Sequence, residues 1–134
     1  MRRIGLLLLM GILTHTINAK DQKAQAEEAQ TLLNGNWVLD YGCNQDPNPT
    51  GTAWLVIHNN TVISCNQQSV TNKGTIVNTK NKGIYRFDWT KGPSSTAEYP
   101  VTRWNLLGLT TQGSTSCYSR VRSAEHNPPK FCSK

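Results

Sequence analysis

The sequence predicts an all-β fold, a small antiparallel up-and-down β-barrel of about eight strands preceded by a short helical or disordered N-terminal segment. Three observations carry this prediction. Gly35-Asn36-Trp37 opens a region rich in Thr, Val, Ile, Tyr and Trp and punctuated by Gly, Asn and Pro, the composition of strands joined by turns. Ile84 to Thr90 alternates strictly, with Tyr85, Phe87 and Trp89 on one face and Arg86, Asp88 and Thr90 on the other, so one face is buried and one is wet. No strong helical period occurs between Gly35 and Arg122, which argues against a helix-rich enzyme fold.

The elements follow in chain order. Met1–Ala19 has a basic start at Arg2 and Arg3, an apolar run from Ile4 to Leu13, and polar or small residues up to Ala19. It reads as a secretory signal peptide cleaved after Ala19, because the apolar run is too short to span a bilayer. Its removal lowers the formal net charge from +6 to +4 and leaves one domain's length, with no transmembrane segment. Residues 20–33, rich in Ala, Gln, Glu and Lys, form a polar segment with helix propensity, and residues 34–134 form the barrel domain with a C-terminal tail.

Trp37 to Tyr41 is the first expected strand, broken by the two prolines of Asp46–Gly51. Thr52–His58 and Thr61–Cys65 flank Asn59-Asn60, a pair that tolerates the positive φ of a tight hairpin turn. Asn72-Lys73-Gly74 and Asn81-Lys82-Gly83 read as turns bracketing a strand over Thr75–Thr79. Ile84–Thr90 comes next, then Tyr99–Asn105, Leu106–Thr110 and Thr115–Arg122, the last two separated by Gln112-Gly113. This spacing suits an up-and-down barrel or a sandwich.

Cys43, Cys65, Cys117 and Cys132 form an even set in a chain read as exported, so two disulfides and a secreted or periplasmic location are expected. The expected pairing is local. Cys65 returns along its hairpin to where Cys43 leaves the first strand, and the tail folds Cys132 back to Cys117. No Cys-x-x-Cys pair occurs, and only His58 and His126 remain after signal removal, so neither a metal site nor a cofactor is read. Lys73, Lys80, Lys82, Arg86 and Lys91 are spread among turns and strand edges, a distribution that does not point to nucleic acid.

Catalytic residue types exist but do not assemble into a motif. Glu98, Arg103, Arg120 and His126 could serve acid–base chemistry on a phosphodiester. Phe87-Asp88-Trp89, Glu98-Tyr99-Pro100-Val101, Arg120-Val121 and Phe131-Cys132 are distantly similar to guanyl-specific microbial ribonucleases. The phosphate loop of that family is missing, since His126 is followed by Asn127-Pro128-Pro129. Ser94, Ser95, Ser114 and Ser116 lack a nucleophile elbow, and His58 reads as a solvated turn residue. Asn59-Asn60-Thr61 matches a glycosylation acceptor sequence on an exposed turn.

Leu33-Asn34-Gly35-Asn36-Trp37-Val38-Leu39 resembles the Gly-x-Trp first strand of lipocalin-like proteins. Trp54–Ser64 resembles their second and third strands, while Trp104–Thr111 and Cys117–Arg122 resemble their closing strands. The resemblance implies an eight-stranded barrel whose interior holds a small apolar molecule, and it places a basic residue, Arg120 or Arg122, over Trp37. Gly35, Trp37, Arg120 and Arg122 are then structural, and Trp54, Tyr85, Phe87, Trp89 and Trp104 are the candidate ligand-binding residues. Tyr41-Gly42-Cys43 and Gly83–Gly92 are similar to segments of C-type lysozyme inhibitors, although the Ser-Gly-x-x-Tyr loop of that family is replaced by Gly74–Thr79. The expectation is therefore a non-enzymatic exported binding protein, for a small apolar ligand or for an exported protein partner such as an envelope hydrolase.

Overall fold

The computed structural model describes residues 32–43 and 45–133. The signal-like residues 1–19 and all of the 20–33 segment before Leu32 lie outside the described residues; Leu32 and Leu33 are helical. Eight antiparallel strands follow: β1 (Gly35–Asp40), β2 (Pro49–His58), β3 (Thr61–Asn66), β4 (Val70–Asn78), β5 (Ile84–Trp89), β6 (Ser95–Val101), β7 (Leu106–Thr111) and β8 (Ser114–Arg120). Each pairs with the next, and β8 pairs with β1, so the sheet closes into an up-and-down barrel. Closure leaves no free edge in the ring.

Strand alternation sorts the side chains into an inner and an outer set. The inner set forms one cluster of Leu33, Trp37, Leu55, Ile57, Val62, Tyr85, Phe87, Ala97, Leu107 and Leu109, with Ile76, Trp89, Tyr99 and Tyr118 packed against it. Trp37, Leu55, Val62, Phe87, Ala97 and Leu107 have no solvent-accessible surface. Side chains bordering a hollow chamber would keep surface that a water molecule could touch. The barrel around these six residues is therefore filled by its own side chains, as a barrel of eight strands can be.

One end of the barrel is plugged. Trp37 lies opposite Arg120 across the β1–β8 pair, and the Arg120 guanidinium sits 4.3 Å from the Trp37 ring centre. Arg120 also donates to the Leu32 and Asn34 carbonyls, both at 2.6 Å, while the Trp37 indole N–H donates to the Leu33 carbonyl at 2.9 Å. Tyr99 meets Trp37 edge-on at 5.3 Å. Gly35 makes this possible: its φ is +133°, and a Cβ there would stand 3.0 Å from the Arg120 guanidinium. Of the two arginines expected over Trp37, it is Arg120 that occupies the position.

A second, smaller cluster lies outside the barrel. Val38, Trp54 and Cys65 point outward and are covered by the C-terminal tail through Phe131 and Cys132, with Val56 and Val121 alongside. The tail contains 3-10 turns at Ala124–His126 and Lys130–Ser133. It is held by a hydrogen bond of 2.7 Å from the Trp54 indole to the His126 carbonyl.

The disulfides correct the expected local pairing: Cys43 joins Cys117, and Cys65 joins Cys132. The reason is topological. Asp40 at the end of β1 pairs with Cys117 on β8, because barrel closure makes the first and last strands neighbours. The tail, instead of folding back along β8, crosses the outside of β2 and β3 and brings Cys132 to Cys65.

Three boundaries also differ from expectation. Asn72-Lys73-Gly74 lies within β4, not in a turn, and the turn falls earlier, over residues 67–69. Gly74 is there because Trp89 crosses it: a Cβ would stand 2.7 Å from the Asp88 carbonyl oxygen and 3.0 Å from the Trp89 ring. The sixth strand is Ser95–Val101, and the remainder of the expected Tyr99–Asn105 strand turns, with Thr102 at φ 62° and Asn105 at φ 57°. Pro49 and Gly51 belong to β2, Pro49 as its first residue, where a missing N–H is tolerated.

Candidate functional site

The residues singled out from sequence do not share one site. Tyr85, Phe87 and Trp89 face into the barrel, where Phe87 and Trp89 meet edge-on at 5.9 Å. The Trp89 indole donates to the Ser95 hydroxyl at 2.7 Å, and that hydroxyl pairs with Thr111 at 2.6 Å. Trp54 is buried on the opposite side of the sheet, beneath the tail. Trp104 stands apart from all of these, in the β6–β7 connection, and is one of the few large apolar side chains left exposed.

Trp104 marks a cleft on the outer face. The floor is built by outward-facing residues of β1, β7 and β8, namely Val38, Leu106 and Ser119. Pro47 and Pro49 of the β1–β2 connection form one wall, and the segment after β8 supplies Val121, Arg122 and His126. The cleft measures about 260 Å³. A second, more open depression of about 410 Å³ lies on another side of Trp104, lined by Cys43, Gln45, Asp46, Thr102 and Arg103.

The sequence builds this place from two irregular connections tied to the barrel. Asp40 caps the β1–β2 connection, its Oδ1 accepting from the Gly42 amide at 2.6 Å and from the Asn48 amide at 2.8 Å. The Cys43–Cys117 bond fixes the same connection to β8. The β6–β7 connection turns through Thr102, whose hydroxyl accepts from the Trp104 amide at 3.1 Å, an ST-turn that sets the direction of the indole. Arg103 stacks on the Trp104 ring at 4.6 Å.

The electrostatics are one-sided at the cleft. Arg122 lines it and, among the described residues, neither Arg122 nor Arg103 has a carboxylate within ion-pair distance. Arg120 also borders it but is spent on backbone carbonyls and Trp37. The nearby carboxylates are Asp46, in the adjoining depression, and Glu125, 4.0 Å from the His126 imidazole. The Ser119 hydroxyl is buried and has no hydrogen-bond partner among the described residues. A buried hydroxyl left in this state costs about 1–3 kcal/mol.

Of the acid–base candidates, Arg120 and His126 border the cleft, whereas Arg103 lines the adjoining depression and Glu98 projects from β6 into solvent. Val38, Leu106, Ser119 and the two prolines were not foreseen as site residues. Their contribution comes from the outer face of a closed barrel, where strands distant in sequence meet. Trp104 carried a signal as a large aromatic near a predicted strand end, and Arg120, Arg122 and His126 carried one as charged or titratable candidates. No helix among the described residues is long and apolar enough to cross a membrane. Comparison of the chain with protein-family models, with curated proteins and with solved structures found no match.

Proposed function

We propose that this chain is an exported, non-enzymatic, lipocalin-like barrel that recognises a protein partner with its outer surface. The observation that carries the reading is the packing around six inner residues: Trp37, Leu55, Val62, Phe87, Ala97 and Leu107 expose no surface, so no chamber borders them. The lipocalin-like assignment is supported by the closed eight-stranded ring together with Arg120 over Trp37, the arrangement the resemblance implies. Two disulfides and the signal-like N-terminus support export to a secreted or periplasmic location.

Recognition from the outside is supported by where the irregular structure collects. The β1–β2 and β6–β7 connections flank the cleft and carry the exposed aromatic residues Tyr41 and Trp104. Aromatic and arginine side chains at a surface are the usual anchors of protein interfaces. The test is native mass spectrometry of the mature protein against fatty acids, retinoid-like molecules and envelope hydrolases in turn. A stoichiometric complex with a protein and none with the small molecules is expected; one-to-one uptake of a fatty acid or retinoid would overturn the reading.

A further inference from the structure

The cleft beside Trp104 has features that go beyond a generic contact surface. The cleft of about 260 Å³ and the depression of about 410 Å³ share Trp104 as a lining residue, which gives room for a side chain and its flanking residues. The accessible apolar contact of the cleft comes from Pro47, Pro49 and Trp104, above a base of buried Val38, Leu106 and Ser119. Its rim carries Arg122, with Arg103 on the neighbouring face of Trp104, and neither has an ion-pair partner among the described residues. The chain is basic, with a formal net charge of +6, or +4 without residues 1–19.

We propose that this cleft is the docking site for an acidic peptide segment of the protein partner. An apolar side chain of that segment lies between Pro47 and Pro49 against the Trp104 indole. Flanking carboxylates pair with Arg122 and Arg103, where guanidinium groups bind carboxylates in a two-point geometry. This rests on the protein-binding reading above and specifies its location and chemistry. Charge complementarity selects the occupant: a basic segment would meet Arg122 and Arg103 with like charge, which costs affinity and slows encounter.

The experiment uses nitrogen-15-labelled mature protein, in which each tryptophan indole N–H gives its own resonance, titrated with three blocked pentapeptides. One has a central Phe flanked by Glu on both sides, one the same Phe flanked by Lys, and one a central Ala flanked by Glu. The Glu-flanked Phe peptide is expected to shift the Trp104 indole resonance, and the other two to shift it at least tenfold more weakly at equal concentration. Arg122→Glu is expected to weaken that binding at least tenfold while its melting temperature and the three other indole resonances stay in place, and Trp104→Ala, followed by the backbone amide resonances of Leu106 and Arg122, to abolish it. Equal response to the Glu- and Lys-flanked peptides, an unchanged affinity in Arg122→Glu, or no shift at millimolar peptide would overturn the site. Shifts confined to Trp54 would overturn the site but leave protein binding standing. Displacement of Trp37 and Trp89 by fatty acid with no response to any peptide would overturn both readings.

Discussion

Replacing Trp37 by alanine tests the plugged end of the barrel directly. The side chain is fully buried, and it holds three partners at once: the Arg120 guanidinium at 4.3 Å, the Tyr99 ring at 5.3 Å, and the Leu33 carbonyl through its indole N–H at 2.9 Å. Truncating a buried tryptophan costs about 3–5 kcal/mol in lost burial and cavity. The cation–π contact adds roughly 0.5–2 kcal/mol and the edge-on aromatic pair about 0.5–1.5 kcal/mol, so the upper part of the burial range is expected. That is a large fraction of the ~5–15 kcal/mol by which a domain is stable. Urea unfolding with the disulfides intact is the assay, followed by tyrosine fluorescence and circular dichroism. With a slope of ~1–3 kcal/mol per molar urea, the midpoint should fall by more than 1 M. Trp37→Phe should fall less, because it keeps ring burial and loses only the indole donor and some volume. A Trp37→Ala midpoint within about 0.3 M of the parent would refute the reasoning, since the plug would then be contributing almost nothing.

Proteolysis without reduction should release peptides joining Cys43 to Cys117 and Cys65 to Cys132; recovery of Cys43 joined to Cys65 would contradict the fold at its closing strand pair. Replacing both Cys65 and Cys132 by serine removes a bond spanning 67 residues and should cost about 4 kcal/mol in the chain-entropy description, with increased Trp54 exposure seen as acrylamide quenching. Tyr118 packs against the inner cluster, and burial raises its phenol above the ordinary value of 10.0. The folded state therefore favours the protonated form. The corresponding stability is fully present below pH 10 and is lost as pH rises through the folded value, because the unfolded chain ionises first. Absorbance titration of tyrosinate should show a late-ionising component that is reduced in Tyr118→Phe, and a Tyr118 that titrates with the exposed tyrosines would contradict its burial.

The strand number, the Asn59-Asn60 and Gln112-Gly113 turns, and the inward face of Tyr85, Phe87 and Trp89 were legible in the linear chain. Each is a local matter. A period of two marks a half-buried strand, and residues that tolerate positive φ mark tight turns, as Asn59 at 55° and Gln112 at 49° show. The same reasoning misplaced Asn72-Lys73-Gly74, because a glycine that serves a turn and one that makes room for a neighbouring ring have the same local signature. Trp89 is fifteen residues away from Gly74 and lies directly opposite it in the β4–β5 pair.

The disulfide partners, the burial of Trp54 and the Trp104 cleft were decided by tertiary structure alone. Barrel closure brings β1 beside β8, so Cys43 finds Cys117 across a separation of 74 residues. The tail then crosses the outer face of β2 and β3, which turns Trp54 from an outward-facing residue into the centre of a second core. Local sequence determines which side chains share a face of a strand, since the pleat repeats every two residues. It does not determine what covers the outer face of the ring, because that depends on where long connections and the tail come to rest, and those placements are set by contacts between residues far apart in the chain.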